Sequence, residues 1–197
     1  GRAVAIDREL GRRMNLAFGG LREGTALRRA GDLEGSLRAY AGAEGMFRAA
    51  GNRPMIESLE RARARTHLLK GEYAAALRGL EVAAEILLAE REWLNYAEVV
   101  VLRARTLLAA GRAAEAREAV RSILAEPWAA RAGAIHRFAW FAILGQAEEE
   151  LGNAGAAREA ADTACRLAEF LLPELTPENE DIKDLLPGVR RITGRSS

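Results

Sequence analysis

Cysteine is almost absent from this chain: Cys165 is the only one in 197 residues. A single thiol excludes an intramolecular disulfide and any metal site built from cysteines alone. Lysine is nearly as scarce. Of 29 basic residues only Lys70 and Lys183 are lysines, so arginine carries the positive charge. That bias fits a GC-rich coding sequence as well as a demand for guanidinium groups. Aromatic residues make up 6% of the chain, and alanine dominates its hydrophobic half. Such small side chains suit closely packed helices, whereas a β-sandwich needs more Val, Ile and aromatic residues. Neither charge sign prevails: 29 basic residues face 28 acidic ones, for a net charge of +1. This removes the global electrostatic argument for nucleic acid or an anionic membrane as a direct partner.

No run of residues approaches the ~18 consecutive apolar positions of a membrane span. No signal peptide and no N-x-[ST] sequon is read, and cytoplasm is the expected compartment. The first residue is Gly rather than Met, as in a trimmed chain or a fragment of a longer one. Catalytic signatures are missing too. There is no G-x-S-x-G, Walker A, G-x-G-x-x-G or H-E-x-x-H motif, and Asp, Ser and His do not gather into a triad. His67 and His136 lie far apart with no H-x-x-x-H spacing around either. No enzymatic activity, catalytic residue, cofactor or metal is expected.

What the chain has is a repeat. Arg63-Ala64-Arg65-Thr66 precedes a turn at Gly71-Glu72-Tyr73, and Arg103-Ala104-Arg105-Thr106 precedes one at Gly111-Arg112-Ala113. Related turns occur at Gly31-Asp32 and Gly152-Asn153, so the turn glycines are 40, 40 and 41 residues apart. A fixed period of this size marks stacked supersecondary units. Apolar residues at helical spacing fill the intervals, and the connections are too short to admit a sheet. Helices are predicted over 21–30, 33–50, 54–70, 73–90, 93–110 and 113–125, then from Pro127 to about 151, and over 156–172. Val4, Ile6, Leu10, Met14 and Phe18 predict an N-terminal helical segment over 1–19. Thr176-Pro177-Glu178 reads as a helix start, with Ile182, Leu185 and Leu186 on one apolar side. The region 173–188 is therefore a linker and capping helix over the last unit, with 189–197 a flexible tail.

The four units over 20–172 resemble the tetratricopeptide repeat. Helix A of the fourth carries Phe141, Leu144-Gly145 and the Gly152-Asn153 turn. The helix-B positions are Ser36, Tyr40 and Ala43; Ala76, Leu80 and Ala83; Ala116, Val120 and Ile123; Ala157, Ala161 and Ala164. The period exceeds the family's usual 34, and Arg63 and Arg103 stand where the family prefers Leu. Longer repeats are similar to those of kinesin light chains, Gα-binding polarity adaptors and the sensor regions of some bacterial transcription regulators. The resemblance implies an all-α fold, a right-handed α-solenoid of four hairpins with terminal capping helices. It implies close helix contacts at Ala64, Ala104, Gly145, Ala76, Ala116 and Ala157, and turn glycines in a conformation that side chains resist.

The resemblance also implies a function: a non-catalytic protein–protein interaction scaffold holding a peptide segment or partner domain on its concave surface. The alternative is a sensor or regulatory module of a larger bacterial signalling or transcription-regulating protein. Concave-facing candidates are Arg61, Arg65, Asn95, Glu98, Arg105 and Gln146. The paired positions Arg65 and Arg105 suit the carboxylates of an acidic peptide. The same arginines also fit a solvated helix face with i, i+4 partners such as Glu57–Arg61. Trp128 and Trp140 are candidate aromatic contacts, or core filling beside Phe138 and Phe141. Glu148-Glu149-Glu150 reads as a solvated charge run. A homodimer through an exposed end face is a further expectation for a solenoid.

Overall fold

The computed structural model describes residues 2–171 and 184–194, with side chains from 11–169 and 184–194. Among these every regular element is a helix. The chain divides into two compact units, Gly1–Glu92 and Trp93–Ser197.

The first unit holds α1 (Arg2–Arg29), α2 (Leu33–Ala49), α3 (Arg53–Leu69) and α4 (Tyr73–Glu90). Helices α1 and α2 form one hairpin, α3 and α4 a second, and α2 packs on α3 between them. Its core gathers Ala17, Tyr40, Phe47, Ile56, Leu59 and Ile86, with Leu21, Leu37 and Met55 against it. The second unit holds α5 (Trp93–Ala109), α6 (Ala113–Leu124), a 3₁₀ turn (Ala129–Arg131), α7 (Ala134–Glu150), α8 (Ala154–Leu171) and α9 (Leu186–Thr193). Hairpins α5–α6 and α7–α8 stack through α6 and α7, and α9 packs on both α7 and α8.

One device ends helix A in all four hairpins. At the first, the Asp32 N–H donates to the Leu27 carbonyl at 2.9 Å and the Gly31 N–H to that of Arg28 at 3.1 Å. Those two bonds define the Schellman ending, which needs a left-handed residue. Gly31, Gly71, Gly111 and Gly152 supply it with φ of 86°, 75°, 71° and 77°. The period visible in the sequence is thus a backbone requirement. Asp32 and Asn52 then cap α2 and α3, accepting from the Gly35 and Met55 amides at 2.8 and 3.2 Å.

Small residues sit where helices meet. Ala64, Ala76, Ala104 and Ala116 are all fully buried, and Ala157 nearly so. A Cβ on Gly145 would stand 3.2 Å from the Ala157 carbonyl oxygen, so α7 and α8 nearly touch there. The helix-B positions are buried in every hairpin, with Tyr40, Leu80, Val120 and Ala161 at their centres.

Three expected boundaries differ. The segment 1–19 is not separate, because α1 runs unbroken from Arg2 to Arg29. Gly20 and Gly24 do not interrupt it. They let α1 approach α2, where a side chain would meet the Ala39 carbonyl or the Tyr40 ring. Helix α7 starts at Ala134 rather than Pro127, since residues 127–133 form a turn that seats Trp128 against other aromatics. The expected capping helix over 177–186 lies mostly outside the described residues. The expected tail is instead helical up to Thr193, with Val189 buried. Pro187 lies in the first turn of α9, where its missing N–H is no loss.

Candidate partner-binding site

The repeated Arg-Ala-Arg-Thr stretch separates into packing and polar positions once its neighbours are known. Thr66 and Thr106, like the alanines before them, are fully buried. Each hydroxyl donates back along its own helix, Thr106 to the Leu102 carbonyl at 2.7 Å and Thr66 to that of Ala62 at 3.3 Å. Thr66 also meets the Ser36 hydroxyl at 3.2 Å, linking α3 to α2. Arg63, where the resemblance leads to an expectation of Leu, reaches Glu44 on α2 at 2.9 Å and Glu60 at 3.5 Å. Burial pushes the Glu60 carboxyl above its ordinary pKa even with Arg63 beside it. Arg103 is exposed and acts electrostatically on Glu115 of α6.

In the first unit Arg61 is drawn in. Its Nε lies 2.8 Å from Glu57 Oε1, with only 13% and 5% of the two side chains exposed. The pair has the i, i+4 spacing expected of a solvated face, yet it is largely sheltered. Arg65 follows one turn along α3, half-buried and with a partner of its own.

The remaining candidates belong to the second unit. Asn95 and Glu98 are half-buried on α5, and Glu98 acts electrostatically on His136 of α7. Burial holds the His136 imidazole below its ordinary pKa, and the Glu98 charge only partly offsets this. Further along α5, Arg105 Nη2 lies 3.2 Å from Asp184 Oδ2, with 15% of the Arg side chain exposed. Gln146 on α7 is covered by the same segment: a Cβ on Gly188 of α9 would fall on its amide. Helix α9 is tied again by Arg191, whose guanidinium meets Glu149 at 2.6 Å. Arg105 and Gln146 are therefore brought together under the chain's own residues 184–194. Asp184 carried no signal in the sequence, because an acidic residue between Lys183 and Leu185 fits many roles.

The aromatic candidates divide. Trp140 is fully buried, so it belongs to the core and is corrected as a surface contact. Trp128 is half-buried and stacks on Trp93 at 5.8 Å between centroids, with Tyr96 and Trp140 edge-on at 6.4 and 6.2 Å. Trp93, which keeps 41% of its surface exposed, is the outermost ring of this group. Rings this close fill the space between them and leave no open box for a cation.

Glu148 departs from the expected solvated run. It is 1% exposed, accepting from Arg121 at 2.6 Å and Asn153 at 2.7 Å. Among the described residues no three His, Cys, Asp or Glu side chains gather as a metal site requires. No described helix is long and apolar enough to cross a membrane. No protein-family model matches the chain, and no curated protein matches it in sequence.

Proposed function

We propose that the chain is a non-catalytic interaction scaffold of the tetratricopeptide kind, which holds an acidic peptide or partner segment against its helix-A surfaces. One observation carries this reading: Arg105, on the A helix of the third hairpin, grips the carboxylate of a separate segment at 3.2 Å. Packing does not demand that arginine, since Ala104 and Thr106 supply the helix contacts on either side. A guanidinium held largely out of water on a rigid helix loses little freedom on meeting a carboxylate. Arg65 has the equivalent sequence position in the second hairpin and serves as a separate comparison in the test.

The test is titration of an acidic peptide library against the wild type and the variants Arg65→Ala and Arg105→Ala, at several salt concentrations. Loss of a carboxylate contact whose acid stays largely in water predicts about a two- to fivefold weakening for Arg105→Ala and a shallower salt dependence. An unchanged affinity and salt slope in both variants would remove the reading.

A further inference from the structure

Helix α9 has eight residues, below the length at which an isolated helix is stable in water. What keeps it helical is its seat on α7 and α8. Two apolar side chains are buried there, Leu185 at 4% and Val189 at 1% exposure. The polar contacts around them are exposed. Asp184, paired with Arg105, keeps 67% of its side chain in water, and Arg191, paired with Glu149, keeps 68%. A further link is a long contact of 3.8 Å between the Thr193 hydroxyl and Cys165 Sγ. Exposed ion pairs of this kind hold little by themselves. The α7–α8 hairpin does not depend on α9 for its own closure, because its small residues Gly145, Ala157 and Ala161 meet directly.

We propose that residues 184–194 are a built-in competitor, occupying a helix-docking surface whose partner in trans is an amphipathic helix of the same chemistry. This rests on the scaffold reading above and specifies its partner. The seat itself writes the pattern. An acid faces Arg105, apolar residues follow at the next position and four further on, and a small residue allows Gln146 to approach. A basic residue seven positions after the acid meets Glu149. Asp184, Leu185, Gly188, Val189 and Arg191 satisfy this in cis. A partner must displace them, so its binding is coupled to release of α9.

The probe is a fluorescein-labelled peptide with the sequence of residues 184–194, titrated into the full chain. A tethered competitor acts at an effective concentration of about millimolar, so wild type binds the peptide at least ~10-fold more weakly than a variant whose own α9 cannot dock. Val189→Asp is that variant, since it places a charge in the buried position. A second peptide with Arg in place of the leading Asp should lose binding to it. Equal affinity of wild type and Val189→Asp for the first peptide overturns the proposal, as does equal affinity of the variant for both peptides.

Native-state hydrogen exchange on the wild type gives an answer that needs no variant to fold. Release predicts amides in 186–193 exchanging on the order of 100-fold faster than those in the middle of α7 and α8. Equal protection means α9 does not open and overturns the proposal. The two readings fail separately. Acidic peptides that need Arg105 yet bind wild type and Val189→Asp alike would sink the competitor and leave the scaffold standing.

Discussion

Arg91 is the one non-glycine residue with positive φ among those described, at 58°. It ends α4 with the same pair of bonds that the glycines use elsewhere: the Glu92 N–H reaches the Leu87 carbonyl at 2.9 Å. An L residue in that conformation costs about 1–2 kcal/mol, part of which Gly would recover against its greater freedom when unfolded. Arg91→Gly should therefore raise stability by up to about 1 kcal/mol, and Gly71→Ala, at φ 75°, should lower it by about 1–2 kcal/mol. Urea midpoints for the two variants check this, and a shift of the same sign in both would contradict it. His136 adds a pH dependence. Its imidazole is only half-exposed and makes no hydrogen bond through Nδ1 among the described residues. Its folded pKa lies below the ordinary 6.5, so the unfolded chain binds the proton more readily. Its contribution is therefore complete above about 6.5 and is lost as pH falls toward the folded value. The raised pKa of Glu60 has the opposite sign, adding stability as pH falls toward 4.5. His136→Gln should make the melting temperature less sensitive to acid between pH 7 and 5. An undiminished fall would assign the effect elsewhere.

At the scale of elements, the hairpins were legible because their signals are local. A Schellman ending needs a left-handed residue and a close helix crossing needs a small one, so each leaves a residue type at a fixed offset. The polar network was less legible, since it joins residues from different helices. Glu148 shows this: its partners Arg121 and Asn153 come from α6 and from the turn before α8, and in sequence it looks like its exposed neighbour Glu150. Trp140 and Phe141 illustrate the same limit, since one residue of register decides which ring is fully buried. The α9 start was hidden by Pro187, which breaks a helix interior but suits a first turn. Removing Glu148 should loosen α6 and the α7–α8 turn together. Glu148→Ala is expected to cost about 1–3 kcal/mol, less than an orphaned buried charge, because its cationic partners Arg121 and Arg117 keep 53% and 29% of their side chains exposed and water can solvate them. Glu148→Gln, which keeps one acceptor, should fall between the variant and wild type in a urea titration.

For the whole molecule, the distribution of tryptophan provides a natural reporter. Trp93, Trp128 and Trp140 all belong to the second unit and form one cluster, whereas the first unit has none. Tryptophan fluorescence therefore reads the second unit, and far-ultraviolet circular dichroism reads both. The first unit has its own core, in which Leu59 is fully buried beside Tyr40 and Phe47. Leu59→Ala removes three buried carbons and should cost about 2–5 kcal/mol there. Stacked helical hairpins gain their stability from nearest neighbours, so such damage need not travel along the chain. The expected result is a circular dichroism curve that splits in urea, with an early phase absent from the fluorescence curve. If both signals instead move together to one lower midpoint, the two cores unfold as a single cooperative block. In that case a substitution in the first unit would also weaken the Arg105 surface, and peptide affinity measured near the midpoint would report unfolding instead of contact.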